Sequence, residues 1–313
     1  MQHNPNLVNM TNAETTPLGV IGLGIMGGAI ARALLDAGYP VSGHDPADAA
    51  MAQLQTHGGQ GCADAGAVAR RSRFIIASLP SSESLMDAAR QMAASAARDG
   101  TRRIVVETST LPLATKQAAA EVLGGAGYDV LDCPVSGTGA TLKDRSWTFY
   151  CSGDQDAYLQ VHPVLKVLTD KLPHVGDFGA GTKMKIAANH LVAIYNVAYA
   201  ESVNLVRRLG LDAEQFLEIV GHGSFLGTGV MRLRMPFMIE RSYSPATMKL
   251  SLWQKDMSVI GGMARMVNCP VPLLSACAPI YDAVMAQGFA QQDTASVSEV
   301  LAGMAGLDGA GRA

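Results

Sequence analysis

One short stretch restricts the fold of this chain more than any other: Gly19-Val-Ile-Gly-Leu-Gly-Ile-Met-Gly-Gly28. Gly22, Gly24 and Gly27 stand in a Gly-x-Gly-x-x-Gly spacing directly behind the apolar residues 18–21, and an amphipathic run at 29–37 follows at once. Strand, tight glycine turn and helix in that order give this spacing its meaning. The first glycine allows a sharp turn, the second lets backbone approach a pyrophosphate, and the third lets the helix pack closely on the strand. The helix start then offers unpaired N–H groups and the positive end of its dipole to phosphates. The whole turn, Gly22, Leu23, Gly24, Ile25, Met26 and Gly27, is therefore the candidate cofactor-binding segment.

Because the chain holds 33 glycines among 313 residues, the pattern alone is weak. A supporting sign is an acidic residue roughly 20 positions on, placed to accept hydrogen bonds from ribose hydroxyls. The apolar run at 39–44 ends at Asp45, 23 residues after Gly22. A carboxylate there favours NAD and repels the 2′-phosphate of NADP. The alternative is a solvated turn residue ahead of Pro46. The expected cofactor is NAD, with NADP disfavoured.

A chain of this length allows about two domains. Apolar residues make up 48% and charged residues 16%, so a large core can be buried. The net charge of −3 and the lack of basic clusters argue against nucleic acid or an anionic membrane surface as a partner. No apolar run reaches the ~20 residues needed to cross a bilayer. The polar residues 1–16 read as a mobile leader without the order of a signal peptide. Five scattered cysteines (Cys62, Cys133, Cys151, Cys269 and Cys277) read as reduced thiols of a cytoplasmic protein. The seven histidines form no metal-ligand spacing, so no metal is expected.

The first half alternates apolar runs with helical segments. Strands are expected at 18–21, 41–44, 74–79, 104–107 and 129–132, with helices between them that include 82–96 and 112–123. Such alternation means a doubly wound, mainly parallel sheet with helices on both faces. A last extended run at 147–151, a helix at 154–168 and a strand at 174–176 are expected to complete that sheet. Ligands of such sheets bind beyond the carboxyl ends of the strands. The loops that fall there are 22–27, 79–81, 108–110 and 134–137.

The character changes after Asp177. A helical pattern runs from 183 to 209 without proline, about 40 Å at ~1.5 Å per residue. Further helices are expected at 213–220, 251–267, 273–287 and 297–304, with no strand alternation. The chain thus divides into a Rossmann-type α/β domain at 17–177 and an all-helical domain at 178–306, joined by the long helix, with a tail at 307–313. Long helices rich in Ala and Met exceed what one small domain can bury, which points to a dimer.

Three motifs turn a nucleotide-binding domain into an enzyme hypothesis. In Asp132-Cys-Pro-Val-Ser-Gly137, Ser136 offers a hydroxyl and Gly137 an accessible N–H; with Thr138 they form a small cradle for a carboxylate. On its own the segment reads equally well as an ordinary strand-to-turn passage. In Gly179-Ala-Gly-Thr-Lys-Met-Lys-Ile-Ala-Ala-Asn189, Lys185 and Asn189 lie four apart on one helix face. A lysine there, facing an interdomain cleft, can move a proton to or from a substrate oxygen. Most lysines at helix starts are solvated, and that reading stays open from the residues alone. In Trp253-Gln-Lys-Asp-Met257, Lys255 stands either at the cofactor edge or in a surface ion pair. Arg232 or Arg234, with residues 223–228, would line the substrate pocket; an arginine there either favours a second carboxylate or stands in a surface salt bridge.

With these four segments in this order, the chain resembles the β-hydroxyacid dehydrogenase family of the 6-phosphogluconate dehydrogenase superfamily. Residues 22–27 are similar to its cofactor fingerprint, 132–137 to its substrate motif, 179–189 to its catalytic motif and 255–257 to its Lys-Asp-Leu motif. The resemblance covers about residues 17–305. It implies hydride transfer between NAD and a short β-hydroxy acid, with Lys185 as general acid/base and Asn189 beside it. It implies that Ser136 and Gly137 hold the substrate carboxylate. Leu79, Pro80 and Thr110 would line the nicotinamide side, with Lys255 nearby. It also implies a homodimer or homotetramer. The chain departs from the family in Thr138, where a glycine is usual, and in Arg145-Ser-Trp147, where Gly-Thr-Leu is usual. Imine reduction and non-catalytic NAD binding are the rival readings; Lys185 speaks against the first, and Lys185, Asn189 and Ser136 together against the second.

Overall fold

Short apolar runs bounded by glycine or polar turns build the first part of the structure, a computed structural model that describes residues 16–96, 101–137 and 145–307. Here β1 (Leu18–Ile21), α1 (Ile25–Asp36), β2 (Val41–His44), α2 (Asp48–Thr56), β3 (Gln60–Gly61), α3 (Ala65–Arg71) and β4 (Phe74–Ala77) alternate strictly. They are followed by α4 (Ser82–Ala94), β5 (Arg103–Glu107), α5 (Leu113–Gly125) and β6 (Tyr128–Asp132). The six strands form one sheet in the order β3-β2-β1-β4-β5-β6, and every pairing is parallel. This is the doubly wound architecture expected, with the glycine turn at the point where strand order reverses between β1 and β4.

Both faces of the sheet are covered, so its central strands β1 and β4 (Leu18–Ile21 and Phe74–Ala77) carry no polar side chain. Phe74, Ile76, Ile104 and Val106 enter one core cluster with Ile30 and Leu34 of α1. Their neighbours Ile75 and Val105 point to the other face and pack with Val68, Leu85, Ala89 and Met92. The period-2 alternation of the pleat puts adjacent residues of one strand into two separate cores.

Two expectations about the sheet need correction. Its sixth strand is β3, a two-residue strand paired through Ser42 and Gly43, and no expected strand covered it. Conversely, the run at 147–151 does not extend the sheet. Its β8 (Thr148–Phe149) pairs antiparallel with β7 (Val135–Ser136) in a separate two-stranded sheet. The strand expected at 174–176 reduces to a single bridge between Cys151 and His174. The chain runs on from β6 through Pro134 into β7 beside the segment 148–152: Asp132 bridges Ser152 antiparallel, and Tyr150 N–H donates to the Pro134 carbonyl. The helix expected at 154–168 is α6 (Gln155–Leu165), capped by the Asp154 carboxylate, which accepts from Ala157 N–H.

The chain divides into two compact units, one through Lys185 and one from Ile186. The long helix α7 (Ala180–Arg208) has 29 residues. In the second unit follow α8 (Ala213–Phe216), a π-helical turn at Leu217–His222, α9 (Gly229–Glu240), α10 (Leu250–Met266), α11 (Pro272–Ala286) and α12 (Val297–Met304). No helix is expected from the sequence at α9, which has Gly227 just before it, Gly229 as its first residue and Pro236 inside it. Thr228 starts it by accepting from Met231 N–H, and Met231, Met235 and Met238 bury one side. The leader expected at 1–16 and the tail at 307–313 lie outside the described residues, apart from Thr16 and Leu307. Among the described residues no helix is long and apolar enough to cross a membrane.

Candidate active site

Each glycine of the fingerprint answers a different steric demand. Gly22 adopts φ +83°, and a Cβ there would overlap the carbonyl oxygen of Ser78 at the end of β4. A Cβ on Gly27 would overlap the carbonyl oxygen of Gly22. Gly24 differs: a Cβ there would meet nothing within 4 Å. Gly24 is the N-cap of α1, and no side chain caps that helix start. Open space over Gly24 and an uncapped helix N-terminus match what a pyrophosphate needs. Of the other fingerprint residues, Leu23 is buried and Met26 packs against the core, while Ile25 is exposed. The chain fits a dinucleotide here.

Asp45 stands beside this turn. Its Oδ2 accepts from Leu23 N–H at 2.8 Å and its Oδ1 from Ala47 N–H at 2.9 Å. The carboxylate is thus fixed in orientation, with lone pairs remaining. The turn that follows carries Asp48 and neither Arg nor Lys up to residue 50.

The loops after β4 and β5 are tied together. Leu79 N–H donates to Ser109 Oγ at 2.8 Å, which sets Leu79 and exposed Pro80 beside the Thr108–Thr110 passage. Thr110 is half-buried. Ser136 ends β7 opposite Thr148. Gly137 has φ +148°, and a Cβ there would overlap the Trp147 ring. Trp147, one of the departures in sequence, is fully buried against Gly137. Thr138 lies outside the described residues.

Lys185 lies in the second turn of α7 and is 9% exposed. The start of α7 is held by groups from the sheet edge. Gly181 N–H donates to Ser152 Oγ at 2.9 Å, and Thr182 N–H donates to Asp132 Oδ2 at 2.7 Å. Gly181 must be glycine, because a Cβ would come 2.6 Å from the Asp132 carbonyl oxygen. Asp132, at the end of β6, is therefore a helix cap supplied from 50 residues away.

A buried lysine that the sequence reading did not single out completes this arrangement. Lys116 of α5 has 0% side-chain exposure. It donates to Ser109 O at 2.9 Å, Asp132 Oδ1 at 2.5 Å and Thr182 Oγ1 at 2.9 Å. Thr182 Oγ1 in turn donates to Asp132 Oδ1 at 2.7 Å. Glu107 Oε2 lies 2.6 Å from the ammonium as an ion-pair contact, while the three N–H bonds go to the other acceptors. Burial alone would lower the lysine's pKa; the Glu107 and Asp132 carboxylates outweigh it and hold the pKa above its usual value. In sequence nothing separates Lys116 from any helix lysine, because its partners lie 7 to 66 positions away.

In the second unit, Asn189 is buried and donates from Nδ2 to Asp256 Oδ2 at 3.1 Å. Lys255 is one-third exposed, with Nζ 3.5 Å from Asp256 Oδ1. Asp256 thus links two residues that the sequence reading singled out separately. Arg234 is buried and donates to both Asp293 oxygens, at 2.6 and 2.7 Å, and to Thr247 Oγ1. Its Nη1 is thus engaged by Asp293 in a buried ion pair. Arg232 is exposed and donates to the Gly221 carbonyl. Among the described residues no group of three His, Cys, Asp or Glu side chains could hold a metal ion.

Comparison with known proteins decides the family. Residues 17–176 match the family model for the NAD binding domain of 6-phosphogluconate dehydrogenase, and 179–301 match that for the NAD-binding region of NADP-dependent 3-hydroxyisobutyrate dehydrogenase. The chain belongs to the β-hydroxyacid dehydrogenase family. It is a nicotinamide-dinucleotide oxidoreductase of that family. It is 28% identical to 2-(hydroxymethyl)glutarate dehydrogenase of Eubacterium barkeri over 95% of this chain and 99% of that one. It is 27% identical to L-threonate dehydrogenase of Cupriavidus necator over 92% of this chain and 96% of that one. A solved structure of Mycobacterium tuberculosis 3-hydroxyisobutyrate dehydrogenase with L-serine superposes with a TM-score of 0.80, 26% identity and coverage of 91% of this chain and 99% of that one.

Proposed function

We propose that this family member oxidises a short β-hydroxy acid with NAD, and that Lys185 moves the hydroxyl proton. The observation that carries this reading is the attachment of the start of α7 to the carboxyl end of β6. Asp132 caps Thr182, so Lys185 rises from the sheet edge where the glycine turn also opens. Ligands of doubly wound sheets gather at that edge.

When bound, the nicotinamide supplies the hydride acceptor or donor. The chain supplies the rest. The uncapped start of α1 and the space over Gly24 receive the pyrophosphate. Asp45 accepts from the ribose hydroxyls, and a 2′-phosphate would meet that carboxylate and Asp48 without an arginine; this supports NAD over NADP. Leu79, Pro80 and Thr110 line the nicotinamide side, with Lys255 at its edge. Ser136 Oγ–H and Gly137 N–H, with Thr138, donate to the substrate carboxylate. Neutral Lys185 takes the hydroxyl proton as oxidation proceeds, and the ammonium returns it in reduction. Asn189, its amide fixed by Asp256, orients the same oxygen.

Exposed Leu191 and Leu205 on α7, with Leu209 just after it, support a homodimer or homotetramer. Five free thiols, three of them buried, support a reducing, cytoplasmic setting. The test is a turnover screen with 2-(hydroxymethyl)glutarate, L-threonate and 3-hydroxyisobutyrate, each with NAD and NADP. We expect one acid to turn over with NAD favoured by about 10-fold or more, given the like-charge clash. NAD binding without turnover of any hydroxy acid, or a preference for NADP, would contradict this.

A further inference from the structure

The interior of the first unit holds a charge that proton transfer by Lys185 does not use, the Lys116 ammonium. Its acceptors come from three places. Ser109 O belongs to the loop after β5, whose Oγ also receives Leu79 N–H from the loop after β4. Asp132 ends β6, four residues before Ser136. Thr182 lies in the first turn of α7, three residues before Lys185 and so less than one 3.6-residue turn away. One ammonium thus joins the carboxyl ends of three neighbouring strands to the start of the helix.

We propose that Lys116 is a positioning residue for the reaction. Through Asp132 and Thr182 it holds the first turn of α7, and with it Lys185, in fixed register with the segment that carries Ser136 and Gly137. This rests on the roles proposed above for Lys185 and Ser136. A buried ion pair adds little stability over apolar side chains of equal volume. A methionine at 116 would fill the same space. What the lysine adds is direction: three N–H bonds fixed on three acceptors, none of which an apolar side chain could orient. Asp132 alone could cap the helix through Thr182 N–H. The second bond between them, Thr182 Oγ1–H to Asp132 Oδ1, closes a triangle with the lysine and fixes the rotation of the turn as well as its distance.

The test uses the full-length protein with Thr182→Val, Thr182→Ser, Lys116→Met and Lys185→Ala. Thr182→Val keeps shape and both charges but removes the bridging hydroxyl, so it remains informative if Lys116→Met fails to fold. Two readouts are taken: turnover of the three hydroxy acids named above, and the pH profile of Lys185 acetylation by acetic anhydride, which needs no substrate. We expect Thr182→Val to lower kcat by about 10- to 100-fold, the scale of a small misplacement of a catalytic group. NAD affinity should stay at wild type, stability should fall by no more than the loss of one buried hydroxyl's bonds entails, the acetylation profile of Lys185 should shift, and Thr182→Ser should restore kcat, profile and stability. An unchanged kcat and profile in Thr182→Val, beside an inactive Lys185→Ala, would overturn the positioning role alone. Activity surviving in Lys185→Ala would overturn the catalytic reading and this inference with it.

Discussion

Asp45 Oδ2 accepts a 2.8 Å hydrogen bond from the backbone N–H of Leu23, so the end of β2 and the glycine turn after β1 form one rigid corner. The same carboxylate is aimed by Ala47 N–H at 2.9 Å. Removing it has two separable effects. Asp45→Ala is expected to weaken NAD binding by about 10- to 100-fold, the range for hydrogen bonds to a charged group. NADP binding should weaken less or improve. Calorimetric titration of both dinucleotides checks this, and a parallel loss for the two would count against a ribose contact.

The glycines of the turn should separate by substitution. A Cβ on Gly24 meets no atom, whereas one on Gly27 overlaps the Gly22 carbonyl. Gly24→Ala is therefore expected to fold with wild-type thermal stability yet lose dinucleotide affinity. Gly27→Ala should lower the melting temperature itself. Equal melting temperatures for the two variants would show that the turn has slack the geometry does not reveal.

Asp256 fixes the Asn189 amide at 3.1 Å. Asp256→Leu leaves a buried donor without that acceptor, which costs about 1–3 kcal/mol. Urea unfolding should show that loss, and kcat/KM should fall with it. Asp256→Asn retains an acceptor oxygen and should recover most of the stability. If Asp256→Leu matched wild type in both measurements, Asn189 would not depend on this bond.

Lys116 makes stability depend on alkaline pH. Its folded pKa is raised, because the Glu107 and Asp132 carboxylates outweigh burial. A group whose pKa is raised on folding adds stability that is complete below its unfolded pKa, about 10.4 for lysine. That contribution is lost as pH climbs from there through the folded value. Denaturant unfolding should therefore show a decline in stability above about pH 10.4 that is absent in Lys116→Met. Removing one member of such a buried cluster also costs about 3–5 kcal/mol at neutral pH. Parallel alkaline profiles for the two proteins would remove this role.

The parts of the fold legible in sequence were those governed by local pattern. Val20 to Gly27 could be read because strand, turn and helix sit side by side in the chain, and the strand expected at 74–79, observed at 74–77, because burial on both faces makes it apolar throughout. What escaped was set by partners distant in sequence. Gln60–Gly61 becomes a strand only by pairing with β2, and two residues carry no period. Trp147–Cys151 has strand character, but it pairs antiparallel with the continuation of β6 and not as one more parallel strand. Arg234 pairs with Asp293, 59 positions away, a partner that no spacing pointed to. Lys116 and Thr182 stood in unremarkable surroundings, and their 66-residue separation hid the bond between them. Asn189 and Lys255 were each visible through their motifs, while Asp256 as the link between them was not.

The most direct test of the account is the turnover of Lys185→Ala, measured with NAD and the hydroxy acid that the wild-type protein oxidises best, alongside titration of NAD into the same variant. Loss of general acid/base assistance should lower kcat by about 10²- to 10⁴-fold. NAD affinity should be unchanged, because the glycine turn and Asp45 remain intact. A variant that binds NAD normally and retains near-wild-type kcat would contradict the account at its centre.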